Sequence, residues 1–508
     1  MSDAQEIHSL LSEEQFDKAA SQYSDVQYEY IGDLNNGSYT SNNLLFDTLP
    51  VRSRWWIPAD SYLSIPISVK CATGAAVSTL VAFKRSVVDM IYSVQVQAAS
   101  GSVIVNDVNL PLINYVRMLI NLDYDQWGQM CPELHITKDT VSVKTSSSGG
   151  AFDIANPVPA ANLLNDGFLE RVKCLKQGAT YTAGTTVPEV FFATVINIPL
   201  RYIHPFFAAC DFPLINQRFQ LQFGLSTGDS PIVRPLVGSG ALTAGTIGLV
   251  SGAAGLTASF TYPASTTTGV VQAVTLTPSQ AAVAAAGACT VTVANATIPG
   301  TNVQINQARL YIKSVKFSPE VNVLLSQKLS SGFVRKIDFY QSDVYMGQGA
   351  AETGVTAAGP YTKLVSPSTV RPTRVFLVGM PNGAATDSTS LSTFIAQFSN
   401  CNVLINNQRY YNQDLITPRE QFEILKDQMN GGGLITYKDF LSHYRIICFD
   451  LSRMGDKMQN ENEAVSIQVQ ATRVDTVSSD YCWMVERLSR VSFHMSSQDS
   501  RVVVGLAQ

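Results

Sequence analysis

The chain has 508 residues, of which 45% are hydrophobic, enough for two or three domains with sizeable cores. Charged residues make up only 15%, against ~25% in an ordinary globular chain, and the net charge is −5. With no run of five like charges, this excludes a chain that coats duplex nucleic acid along its length, and it suits a surface of Ser, Thr, Asn, Gln and Gly or one hidden by other chains.

Residues 1–37 read as an N-terminal arm. Ile7, Leu10 and Leu11 fall on one helical face with Phe16 further along, a pattern too short for an independent domain. From 38 to 228 the pattern is β. Leu63, Ile65, Ile67 and Val69 alternate with smaller or polar residues, and Phe219, Leu221, Phe223 and Leu225 alternate with Gln220, Gln222 and Gly224. Period-two alternation places one face in a core. Turn formers such as Asn35-Asn36-Gly37-Ser38 and Ser100-Gly101 separate the strands, and one helix is expected near Pro111 to Leu122. Residues 229–302 read as an insertion or linker rich in Ala, Thr and Gly, because no Asp, Glu, Lys or Arg occurs between Arg234 and Arg309. Val270 to Thr277 and Thr290 to Ala294 read as short strands within it.

The β pattern returns over 303–508, with Val465, Ile467, Val469 and Ala471 alternating with Ser466, Gln468 and Gln470. Thr417-Pro418-Arg419-Glu420 is a capping box with Pro at the first helical position, and Phe422, Leu425 and Met429 continue at helical spacing to a stop at Gly431. The halves echo each other. Each has an alternating strand, a short turn, a helix, an apolar stretch and a final Gln-rich strand, which predicts one β architecture used twice.

No chemical signature accompanies this pattern. Eight cysteines are scattered without a CxxC pair and read as buried thiols. The five histidines, His8, His135, His204, His443 and His494, show no zinc spacing, and His204 in Tyr202-Ile203-His204-Pro205-Phe206 reads as a hydrogen-bonded core histidine. Asp456, Glu461 and Glu463 read as solvated loop charge, and Trp55-Trp56 beside Arg52 and Arg54 as packing. Gly431-Gly432-Gly433 follows a helix, so it cannot cradle phosphate as a P-loop does. The sequence therefore predicts no catalytic, cofactor-binding or metal-binding residues. Met1 to Glu6 open no secretion signal, and no run of 18 apolar residues predicts a membrane-spanning helix, so synthesis in the cytosol is expected.

Several segments resemble a known family. These are Ala82-Phe83-Lys84-Arg85 with Ile91 to Val96, then Ile198 to Phe207 with Asp211-Phe212-Pro213-Leu214, then Leu310 to Val315 with Leu329 to Phe333, and Thr436 to Phe440 through Phe449-Asp450-Leu451-Ser452. In this order they are similar to the double jelly-roll major capsid proteins of virophages and polinton-like viruses, over about two-thirds of the chain. The resemblance implies an all-β fold of two consecutive eight-stranded jelly rolls with a few short helices. It also implies a structural, non-enzymatic role in the capsid of a virion assembled in the host cytoplasm. The implied partners are two further copies in a homotrimer, neighbouring capsomers, and penton and minor capsid proteins. No sequence-specific nucleic acid is implied, and an internal membrane is left open. Two other readings compete: a β-rich viral receptor- or carbohydrate-binding protein, and a β-sandwich glycoside hydrolase or lyase with two inward carboxylates.

Overall fold

The computed structural model describes residues 23–35, 43–51, 54–71, 82–139, 190–226, 307–347, 352–381, 393–429, 432–452, 464–495 and 501–505. It also describes short pieces between 167 and 183 and between 232 and 305. The helical reading of Ile7 to Phe16 lies outside these residues.

The first barrel is built from β1 (Tyr23–Gly32), β2 (Asn43–Asp47), β3 (Trp55–Cys71), β4 (Ile91–Ala98), β5 (Val103–Val108), β6 (Thr180–Ala183), β7 (Val190–Pro199), β8 (Phe219–Leu225), β9 (Cys289–Val293) and β10 (Arg309–Phe317). One sheet runs β1-β10-β3-β7-β6, with β9 also on β3, and the other runs β2-β8-β4-β5. Two helices, α1 (Leu110–Asn121) and α2 (Tyr124–Leu134), follow β5; short helices α3 (Leu200–Ile203) and α4 (Pro205–Ala209) follow β7.

Helix α5 (Pro319–Ser331) leads into the second barrel. Its strands are β11 (Phe333–Met346), β12 (Gly359–Val370), β13 (Pro372–Pro381), β14 (Phe398–Ile405), β15 (Gln408–Arg409), β16 (Ile447–Asp450), β17 (Ala464–Arg473), β18 (Ser479–Met495) and β19 (Arg501–Gly505). Helices α6 (Pro418–Asp427) and α7 (Tyr437–Ser442) lie between β15 and β16. The sheets run β11-β18-β13-β16, with β19 on β18, and β12-β17-β14-β15.

Among the described residues, and leaving out β6, β9, β19 and the short two-stranded pairs, each barrel shows eight strands in one shared order: first-eighth-third-sixth in one sheet, second-seventh-fourth-fifth in the other. This is the jelly roll, made twice. The pairing is antiparallel throughout, so each strand buries alternate side chains. Phe219, Leu221 and Phe223 of β8 are buried, while Gln220 is exposed and Gln222 half-buried; Val465, Ile467 and Val469 of β17 are buried between half-buried Ser466, Gln468 and Gln470. A one-residue slip would turn either set to water.

The pairing also locates the halves. Tyr23–Gly32, expected in the arm, is the first strand of the first barrel, and Arg309–Phe317 pairs with it and with β3 as the eighth. The 229–302 stretch therefore falls between strands seven and eight of that barrel. We place the junction of the two barrels at 318–332. Within the stretch, Thr257–Tyr262 pairs with Val270–Thr275, and β9 adds to the sheet of β3.

Local chemistry accounts for the turns and caps. Asn406 and Asn407 both take left-handed φ, +50° and +64°, in the two-residue hairpin between β14 and β15, as a type I′ turn requires. At α6 the Glu420 amide donates to the Thr417 hydroxyl (3.3 Å) and the Thr417 amide to the Glu420 carboxylate (2.9 Å), the reciprocal box read from sequence. Replacing Thr417 by Ala is expected to cost about 1 kcal/mol in denaturant unfolding. An unchanged midpoint would mean that the cap contributes nothing beyond solvent.

Candidate functional site

The chemically richest region is the seam between the barrels, and every group in it is positioned by strand and helix geometry. Strand β5 carries Asp107 at its end, and α1 follows directly. Pro111 lies in the first turn of α1, and Leu112, Ile113, Val116, Leu119 and Ile120 anchor it in the core. That anchoring leaves Arg117 to reach the second barrel, while Asn114 donates to the Ile203 carbonyl of its own barrel (2.8 Å).

Inside the second barrel, Trp483 of β18 stacks on Tyr361 of the opposite sheet, 5.7 Å between centroids. Glu486, three residues on, faces the other way and meets the first barrel. It is fully buried. Arg117 donates Nε–H to its Oε1 (2.7 Å), and Arg374 of β13 donates Nε–H to its Oε2 (2.7 Å). Arg117 also donates to the hydroxyl of Ser342 on β11. Burial pushes the Glu486 carboxyl up, but the two guanidiniums outweigh it and hold its pKa below the usual carboxylate value.

Asp107 forms a second crossing. Its Oδ2 accepts from the Ser342 amide (3.0 Å) and lies 2.9 Å from Nε2 of His204. Nδ1 of His204 accepts the Phe206 amide proton at the start of α4 (3.1 Å), so Nε2 carries the hydrogen and donates to Asp107. The histidine is fully buried; burial lowers its pKa against the pull of Asp107, and it is neutral near pH 7. A third crossing joins Tyr115 and Tyr444, hydroxyl to hydroxyl at 2.9 Å, with the Asp139 amide donating to Tyr444 (2.6 Å). Lys138 donates to Asp439 (2.5 Å) and to the Leu434 carbonyl (2.8 Å). Around these run aromatic contacts: Phe206 lies 5.4 Å from Phe339, and Phe212 6.0 Å from Phe493. One apolar cluster runs through both barrels.

The remaining sequence candidates fall elsewhere. Trp56 packs edge-on against Phe219 at 5.9 Å and Trp55 against Phe317 at 5.4 Å, both buried. Gly433 takes φ +92° after α6, and the next amide, of Leu434, donates to the Leu119 carbonyl. Cys210, Cys401, Cys448 and Cys482 are buried and unpaired with one another; burial pushes the Cys401 and Cys482 thiols up to about 12 and the other two upward as well, so they are protonated and poorly nucleophilic. His8, Arg52, Asp456, Glu461 and Glu463 lie outside the described residues. Among the described residues no group of three or more His, Cys, Asp or Glu is arranged to hold a metal, and no helix is long and apolar enough to cross a membrane.

Sequence reasoning passed over Asp107, Arg117, Arg374 and Glu486. Their signal was available only as isolated charges inside apolar runs, such as Arg117 within Leu112 to Ile120 and Glu486 after Trp483-Met484-Val485. The arrangement can hold two barrels at one angle.

Comparison with known proteins places this architecture. Two antiparallel barrels of identical strand order, joined in one chain through a buried seam, define a double jelly roll. The chain shares this fold with a chain of the Sputnik virophage structure solved by cryo-EM: 12% identity, 96% of this chain and 90% of that one covered, TM-score 0.59. It shares it also with the crystal structure of the mavirus major capsid protein: 11% identity, 96% and 91% covered, TM-score 0.51. No family model and no curated protein matches the sequence.

Proposed function

We propose that this chain is the major capsid protein of an icosahedral virus, located in the virion. It would assemble as homotrimers whose six jelly rolls form a pseudo-hexagonal capsomer, with no enzymatic activity. The observation that carries this reading is the repeated barrel with its rigid seam. Two similar barrels per chain let a threefold object imitate a sixfold one and so tile a near-hexagonal lattice. A lattice of that kind needs the angle between barrels to be the same in every copy, and the buried Arg117–Glu486–Arg374 group at the seam supplies it. The fold shared with the mavirus major capsid protein supports the same reading. Neighbouring capsomers, penton and minor capsid proteins are its proposed partners, and assembly in the host cytoplasm is part of the proposal.

Light scattering on the purified protein tests this. The expected mass is three times 55.1 kDa, with a hexagonal outline in electron micrographs. A stable monomer would overturn the reading.

A further inference from the structure

Four tyrosines lie in ring contact on the outer face of β1-β10-β3. Tyr30 of β1, Tyr311 of β10 and Tyr62 of β3 share one register row, and Tyr28 of β1 lies diagonally against Tyr62. Tyr30 and Tyr311 have centroids 5.9 Å apart and planes inclined at 47°; for Tyr28 and Tyr62 the values are 5.8 Å and 51°. The pair Tyr62 and Tyr311 differs. Its rings stack at 4.8 Å and 9°, whereas every other contacting tyrosine pair among the described residues meets at 47° or more. Tyr28 and Tyr30 are 52% and 56% exposed, and the stacked pair behind them is half-buried.

Offset stacking is ordinary aromatic packing, but for two phenols it has a chemical consequence. It lays the carbons of one ring over those of the other, the approach that two phenoxyl radicals need in order to couple. Paired strands hold both rings at that approach, which replaces a chance encounter by a fixed one. We propose that Tyr62 and Tyr311 are an oxidative cross-linking site, joined ring to ring as a dityrosine by a haem-peroxidase type of oxidant with hydrogen peroxide. Each phenol gives up one electron and its O–H proton. The two radicals form one carbon–carbon bond between ortho positions, and the hydrogens on those carbons move to the oxygens and restore both rings. The chain loses two hydrogens in all, and one hydrogen peroxide takes them up to become two waters. Burial and the neighbouring Tyr311 and Tyr28 hold the Tyr62 phenol above the ordinary tyrosine value, so it enters the reaction protonated. Tyr28 and Tyr30 are the members that an oxidant meets at the surface. A radical formed on either passes by ring contact to the stacked pair, because exchange between like phenols costs little.

The link joins strand three of the first barrel to strand eight, positions roughly 250 residues apart in the chain. Closing a loop of that length constrains the unfolded chain and so stabilises the folded one. The inference does not rest on the capsid reading, since both rings belong to one chain.

The test treats the full chain with a haem peroxidase and a limiting amount of hydrogen peroxide, then reads dityrosine fluorescence and maps the linked peptides by mass. The wild type should gain the fluorescence, yield a Tyr62–Tyr311 peptide pair lighter by two hydrogens, and melt at a higher temperature than the untreated protein. Tyr62→Phe and Tyr311→Phe keep the ring and the packing but cannot form the second phenoxyl radical, so each should lose most of the fluorescence and the rise in melting temperature. Tyr92→Phe is the control, because Tyr92 is 44% exposed and lies on the other sheet of the same barrel; it should behave as the wild type. Circular dichroism confirms that each variant is folded before treatment. Fluorescence retained in Tyr311→Phe, a link mapped to another tyrosine pair, covalent dimers of whole chains on a denaturing gel, or no dityrosine in the wild type would each overturn the inference, and each leaves the capsid reading untouched.

Discussion

Replacing Glu486 by Ala is expected to destabilise the protein by about 3–5 kcal/mol, because two buried guanidiniums lose the carboxylate between them. Arg117 and Arg374 sit on different barrels, each 2.7 Å from one of the two oxygens of a fully buried side chain. The loss should appear as a lower melting temperature and denaturant midpoint at matched protein concentration. Glu486→Gln keeps the shape and part of the hydrogen bonding, so it should fall between. Removing all three charges together (Arg117→Met, Arg374→Leu, Glu486→Met) should cost far less than Glu486→Ala, because apolar groups of similar volume can replace a buried charge cluster nearly neutrally. If Glu486→Ala melted like the wild type, the cluster would have no part in holding the barrels together.

Acid is the second large effect. His135 ends α2 with φ +50°, its ring edge-on to Phe83 at 5.6 Å. Burial, with the Arg171 charge nearby, pushes its pKa down to about 4, against 6.5 when exposed. The folded state thus holds fewer protons than the unfolded state between these values. Stability from this group is complete above the exposed pKa and drains away as pH falls towards 4, by about 3 kcal/mol in all. His204 and His443 are lowered by burial too and add in the same direction, against opposing pulls from Asp107 and Asp439. The carboxyls of Glu486 and Asp107 are held below their ordinary values, so the stability they contribute is lost as pH falls from those ordinary values towards the folded ones. Thermal melts at pH 7.5, 6 and 5 should fall steadily, and His135→Asn should flatten the slope. Asparagine accepts left-handed backbone readily and carries no titrating group. A melting temperature independent of pH over this range would show that these rings do not titrate with unfolding.

The two effects have one origin. The barrels are joined by desolvated polar groups rather than by apolar packing alone, and such groups accept few alternative geometries. A purely apolar seam could slide. Here Asp107 must meet both His204 and the Ser342 amide, while Arg117 must meet both Glu486 and the Ser342 hydroxyl. That over-determination sets the angle between barrels.

Much of this protein was determined by sequence alone. Alternation at Phe219 to Leu225 and Val465 to Ala471 dictated the strands and their buried faces, because period two is a local property of extended backbone. The capping box at Thr417, the proline opening the first long helix and the Asn406-Asn407 turn are equally local, each satisfied within a few residues of itself. The echo between halves pointed to one β architecture used twice. Only the tertiary structure decided the rest. Tyr23–Gly32 became a strand because Arg309–Phe317, nearly 300 residues away, offered it an edge. By the same pairing, the charge-free stretch lies in the chain between β8 and β10. The seam brought Asp107, Arg117, Ser342, Arg374 and Glu486 together from separate strands and a helix, and no spacing along the chain records that meeting. Local pattern sets which face of an element is apolar; which other element covers that face is settled by the pairing of distant strands, and with it where buried charge can be tolerated.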